Sequence, residues 1–165
     1  GESARGLLMR TPVDGARISS GFGSRFHPIL GYSRMHRGVD FAVPTGTPVM
    51  SAGAGTVSFM GRTRGYGNLV KISHGNGYST NYAHLSRFAP GMRRGARVRQ
   101  GQVFAYSGNT GMSTGPHLHY ELRRDGTYID PYSPSMQLDL WSMRDSDSGQ
   151  FTRHLLLLGS LPNNE

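Results

Sequence analysis

Glycine punctuates this chain so densely that it limits what the chain can fold into. Between Ile18 and Tyr132, short apolar alternations are cut every few residues by glycine or proline, and 24 of the 165 residues are glycine. A glycine inside a helix costs about 1 kcal/mol relative to alanine, so a chain interrupted this often does not sustain long helices. Period-two segments bounded by such breakers read instead as strands. The stretches "TPVMSAGAGTVSFMG", "GNLVKISHGNGYSTNYAHLS", "ARVRQGQVFAYSG" and "HLHYELRRDGTYIDP" each hold one or two strands with a turn. The pairs Asn76-Gly77 and Asp125-Gly126 tolerate positive φ and favour tight two-residue hairpins. The expected fold is mainly β, a compact antiparallel domain laid out as a meander.

The length suits one domain. Residues 1–17 read as a lead-in, 18–132 as the domain and 133–165 as an extension of different character, poorer in glycine and richer in leucine. A short helix is expected there from Gly149 to Leu158, capped by Ser146 or Ser148, with His154 on its polar face. The run "LLLL" is far shorter than the roughly 20 apolar residues that span a bilayer, and no other segment approaches that length. The chain begins without methionine, and its start, "GESARGLLMRTP", has no long apolar stretch, as expected of a mature or excised fragment.

With no cysteine, the chain has no disulfide and no thiolate, so any metal must be held by nitrogen and oxygen ligands. Its net charge of +8 predicts attraction to a polyanion. Nucleic acid is disfavoured, because "GMRRGARVRQG" lies in neither a helix-turn-helix pattern nor an aromatic-basic ribonucleoprotein signature. A solvated loop facing an anionic wall is the more economical reading.

The candidate chemistry sits in two motifs. In a strand, His117 and His119 of "PHLHYEL" share a face about 6 to 7 Å apart, with Leu118 turned into the core. In "HRGVDF", His36 and Asp40 are four apart and share a face of an extended segment, the conformation favoured by the residues between and after them. Imidazole and carboxylate are zinc ligands, and a catalytic zinc takes three protein ligands and keeps one position open. Four candidates therefore leave one histidine over, to handle protons beside the ion.

In order and spacing, "MHRGVDFAVPTGTPV", "GNLVKISHGNGYSTNYAHLS" and "GNTGMSTGPHLHYEL" strongly resemble the lysostaphin/LytM-type zinc metallopeptidases, which cut peptide cross-bridges of bacterial peptidoglycan. The likeness runs from about Arg10 to Tyr132, and "GFGSRFHPILGYSRMH" is similar to the Gram-negative, periplasmic branch. It implies a compact β-sheet domain with a groove over one zinc ion, held by His36, Asp40 and His119. It implies His84 and His117 as the catalytic histidines, without saying which acts as base. Arg25 and His27 would border the groove and contact substrate, Arg25 through a substrate carboxylate, with ordinary loop polarity as the alternative reading. The implied partners are stem peptides and cross-links, D-Ala to meso-diaminopimelate, and an inhibitory or regulatory segment or partner outside this chain. A catalytically silent wall-binding or amidase-activating protein of the same fold is the rival reading, but such members usually lose ligands.

Other candidates are set aside. His74, in "SHGNG", is expected to make hairpin-turn hydrogen bonds. Glu121 is discounted as a zinc-protease base because no H-E-x-x-H pattern is present. Tyr82 and Tyr120 are read as packing residues.

Overall fold

A computed structural model of the chain describes residues 11–27 and 32–133, with side chains left undescribed for 24–27 and 32–34. The helix expected at Gly149 to Leu158, with His154, lies outside the described residues. Within them every regular element is a strand: β1 (Arg17–Ser20), β2 (Gly23–His27), β3 (Tyr32–His36), β4 (Val39–Ala42), β5 (Pro48–Met50), β6 (Gly55–Thr63), β7 (Gly67–Gly75), β8 (Tyr78–Phe88), β9 (Arg97–Val98), β10 (Val103–Ser107), β11 (Leu118–Arg124) and β12 (Thr127–Ile129). Each of the four stretches singled out in the sequence resolves into two strands.

The anticipated hairpins form. Asn76 and Gly77 join β7 to β8 with φ of 55° and 80°, and Asp125 and Gly126 join β11 to β12 with φ of 51° and 85°. Two successive positive φ values give the primed turn whose twist matches that of the flanking strands.

The strand order is less simple than a meander. The main sheet runs β1-β4-β11-β8-β7-β6-β9, with β12 on β11 and with β10 pairing both β5 and β8; β2 and β3 form a separate hairpin. Only β6-β7-β8 is a true meander. The late strand β11 inserts between β4 and β8, antiparallel to both, and its register sets His119 opposite Asp40 on one side and opposite Ala83 on the other.

Period-two burial fixes which face each residue takes. Val39 and Phe41 of β4 and Leu118, Tyr120 and Leu122 of β11 enter the core with Val70, Ile72, Tyr82 and Phe104. Tyr82 packs edge-on to Phe104, ring centroids 4.7 Å apart. Burying each such side chain stabilises by about 1.5–3 kcal/mol, enough to hold the register; a one-residue slip would turn the whole set outward. Asp40 and His119, between these anchors, are driven to the opposite face.

Candidate metal centre

His36 and Asp40 do not lie on one extended strand as the spacing suggested. The chain leaves the β2–β3 hairpin at His36, bends through Arg37 and Gly38, and enters the main sheet at Val39. The bend passes against β11: a Cβ on Gly38 would lie 2.4 Å from the Tyr120 carbonyl oxygen and 3.0 Å from His119 Cε1. Only glycine lets the two segments approach this closely. The result still joins the pair, with His36 Nε2 3.2 Å from Asp40 Oδ2.

His119 reaches the same carboxylate from β11, its Nδ1 2.7 Å from Asp40 Oδ1. His36, Asp40 and His119 each offer a ligand atom within 4.8 Å of one another. The remaining ring nitrogens are committed outward. His36 Nδ1 donates to the Gly21 carbonyl at 2.7 Å, which turns Nε2 toward Asp40. His119 Nε2 lies 2.8 Å from Glu121 Oε2. Two imidazoles and a carboxylate, each histidine held by its far nitrogen, suit a zinc-type cation that keeps a fourth position open.

Electrostatics agree with a site built for positive charge. Burial works against ionising Asp40, yet hydrogen bonds from His119 and His36 pull it well below the usual carboxylate range. Burial likewise works against protonating His119, but Asp40 and Glu121 override it and raise the imidazole to about 9.

Two more histidines stand beside this trio. His84 sits where β8 carries an extra residue against β7, the pairing shifting between Val70–Tyr82 and Asn68–Leu85. The bulge explains how Tyr82 and Leu85 both enter the core while His84 turns away from it. His84 adopts φ +62°, rare for a residue with a Cβ. Its N–H donates to the Tyr66 carbonyl at 2.8 Å and its Nδ1 to the Thr110 carbonyl at 2.7 Å, which leaves Nε2 for the groove. Burial lowers the pKa of His84, and the neighbouring His117 and His119 add to the effect. His117 is tied through Nδ1 to the Gly115 carbonyl at 2.8 Å, and its Nε2 is 3.7 Å from Asp40 Oδ1. The rings of His84 and His117 are 4.8 Å apart.

All five residues line one open groove of about 500 Å³. Its walls include Met35, Arg64, Tyr66 and Met112, and Arg64 is the one Lys or Arg among its described lining residues. The segments holding Tyr66 and Met112 interlock. Met112 N–H donates to the Gly65 carbonyl, and a Cβ on Gly111 would come within 2.3 Å of Gly67 N. Arg25 and His27 fall on β2, where side chains lie outside the described part of the structure.

A family model described as Peptidase family M23 matches residues 34–131, more than half of the chain and all five groove residues. The chain belongs to peptidase family M23. An M23 relative from Neisseria meningitidis serogroup B, named DD-carboxypeptidase/endopeptidase Mpg, is 50% identical over 125 residues, which cover 76% of this chain and 28% of the relative. The chain thus spans less than a third of that relative's length. Among solved M23 structures, a zinc-containing peptidase from Vibrio cholerae aligns with TM-score 0.72 and 37% identity over 78% of this chain and 40% of that one. The catalytic domain of lysostaphin, an antimicrobial peptidase from Staphylococcus simulans, aligns with TM-score 0.64 and 32% identity over 75% of this chain and 94% of that one. The lysostaphin-type metallopeptidase family read from the three motifs is therefore the family to which the chain belongs.

Of three further residues at the site, Tyr66 and Asn81 carry no functional signal in the sequence, and Glu121 is discounted there as a base. Glu121 is buried under His119, Tyr66 stacks on the His119 ring at 6.0 Å, and Asn81 pairs with Glu121 across the sheet. The two-residue step from His119 to Glu121 was visible, but the partners that give it meaning come from β8 and the β6–β7 turn. His74 differs from expectation as well. Rather than serving the hairpin turn, it is buried, with Nδ1 2.8 Å from the Ala54 carbonyl and Nε2 2.7 Å from Thr80 Oγ1.

Proposed function

We propose that the chain carries the catalytic machinery of a zinc-dependent endopeptidase that hydrolyses peptide cross-links of bacterial peptidoglycan, at the bond from D-Ala to meso-diaminopimelate. The observation that carries this reading is the convergence of His36, Asp40 and His119 with His84 and His117 in one open groove. The activity in the name of the Neisseria relative supports it, as does the zinc in the Vibrio structure. A silent wall-binding or amidase-activating protein would have no use for all five residues.

In this reading His36, Asp40 and His119 hold one zinc ion. Zinc, when bound, would polarise the scissile carbonyl and acidify a water beside it. His84 and His117 supply proton transfer: each has Nδ1–H on a backbone carbonyl, so each presents Nε2 as the working nitrogen. One takes a proton from the attacking water and returns it to the leaving amine, while the other, in its doubly protonated form, donates Nε2–H to the negative charge on the carbonyl oxygen. Arg64 offers a cation to the free carboxylate of diaminopimelate, and Arg25 and His27 are assigned to substrate contact on sequence grounds. Residues 18–132 form the domain, with 1–17 as lead-in and 133–165 as extension. The setting is the periplasm or cell envelope, and a segment or partner outside this chain regulates access to the groove. Among the described residues no helix is long and apolar enough to cross a membrane.

The test is digestion of purified sacculi by the protein as prepared, after chelation, and after zinc is restored, with released muropeptides identified by mass spectrometry. Cleavage that disappears with chelator and returns with zinc, at the D-Ala–diaminopimelate bond, is expected. Retention on sacculi without metal-dependent release would instead favour the silent wall-binding reading.

A further inference from the structure

Glu121 is 1% exposed, and no Lys or Arg among the described residues forms an ion pair with it. Its carboxylate accepts from three neutral donors when His119 carries one proton: His119 Nε2–H and Tyr66 O–H reach Oε2, each at 2.8 Å, and Asn81 Nδ2–H reaches Oε1 at 2.8 Å. Asn81 stands directly opposite Glu121 in the β8–β11 pairing. Removing a carboxylate from water costs several kcal/mol even when it is hydrogen-bonded, and an uncharged side chain would fill the same volume. The charge therefore serves something that Glu121 touches.

Comparison among the four groove histidines identifies what that is. His36, His84 and His117 each commit Nδ1 to a neutral backbone carbonyl. His119 is turned the other way round: Nδ1 faces Asp40, and Nε2 is held by a full negative charge. A carboxylate behind an imidazole fixes its tautomer and makes the opposite nitrogen a stronger donor to a cation.

We infer that Glu121 is a positioning residue whose charge, held in place by Tyr66 and Asn81, sets the affinity of His119 for the metal. It touches neither substrate nor reacting atoms, and the inference rests on reading His119 as a ligand. The tightly packed Gly38 corner belongs to the same arrangement, since a Cβ there would lie 2.9 Å from Glu121 Cγ.

The experiment compares zinc dissociation constants of wild type, Glu121→Gln, Tyr66→Phe and His119→Ala, by competition with a chromophoric chelator. Glutamine matches the volume of glutamate, and Asn81 can reverse its amide to pair with it, so the Gln variant removes charge with little change in packing. Zinc binding should weaken 10- to 100-fold in Glu121→Gln and by a smaller factor in Tyr66→Phe. At saturating zinc, Glu121→Gln should recover most of its activity. ¹⁵N spectra of zinc-loaded wild type should show His119 protonated at Nε2.

A folded Glu121→Gln variant that binds zinc as wild type does would overturn the inference, as would an Nδ1-protonated His119. So would unchanged affinity with activity lost at saturating zinc, which would make Glu121 a catalytic residue instead. Should Glu121→Gln not fold, Tyr66→Phe decides on the same affinity measurement. If wild type and His119→Ala bind zinc equally, the failure lies in the ligand assignment and not in the role given to Glu121.

Discussion

At the scale of single residues, the histidines separate by what holds them. On the proposed assignment, His119→Ala removes a ligand together with the partner of two carboxylates, so zinc is lost and activity with it. His84→Ala leaves the three ligands in place. The expected result is full zinc content by elemental analysis with kcat down roughly 10²- to 10⁴-fold, the usual range for a lost acid-base group. A zinc-free His84→Ala protein would overturn this division. The backbone of His84 yields a second prediction. At φ +62° any side chain with a Cβ is disfavoured by about 1–2 kcal/mol, and glycine is not. Both His84→Gly and His84→Ala lose the imidazole and its bond to Thr110. The glycine variant should therefore unfold at higher urea than the alanine variant, although glycine is ordinarily the less stable choice. The opposite order would show that the bulge relaxes when histidine is removed.

At the scale of strands and turns, local features of the fold were legible in the sequence and long-range ones were not. Asn76-Gly77 and Asp125-Gly126 specify their hairpins because the positive φ is a property of those two residues alone. The sharing of a groove by His117 and His119 follows from strand parity, with Leu118 between them fully buried. The placement of β11 between β4 and β8 was hidden, because it depends on pairing partners dozens of residues away. The bulge at His84 was hidden for a similar reason, since an unpaired residue is defined only against the strand beside it. Gly38 was read as a sign of extended chain, whereas its role is to let the His36–Asp40 corner touch β11. Gly38→Ala should accordingly fold but bind zinc at least tenfold more weakly, because its Cβ displaces the Tyr120 carbonyl and the His119 ring. Titration with the same chelator measures this. Wild-type affinity would mean that β11 yields at no cost.

At the scale of the whole molecule, stability should depend on pH through a group remote from the groove's chemistry. His74 is buried and its pKa is lowered to about 4, the loss of hydration outweighing its bond to Ala54. In the unfolded chain it titrates near 6.5, so between about pH 6.5 and 4 the unfolded state binds the extra proton. Its contribution is complete above pH 6.5 and is lost as pH falls through 4, on the order of 3 kcal/mol in all. Urea unfolding of wild type and His74→Asn at pH 7 and pH 4 should show the wild type losing more stability by about that amount. Equal losses would mean that other groups dominate. The insertion of β11 has a consequence of another kind. Asp40 and His119 are 79 residues apart in the chain, and until residues 118–124 exist β4 and β8 have no strand to join them. Loop-closure entropy must be met before that pairing returns any free energy, so β11 docks late and folding is slow for a chain of this size. The step that closes the sheet is also the step that brings His119 to Asp40. On the proposed assignment, a nascent chain already holds His36, Asp40 and His84 but lacks His117 and His119, and hydrolytic competence arrives only when β11 docks.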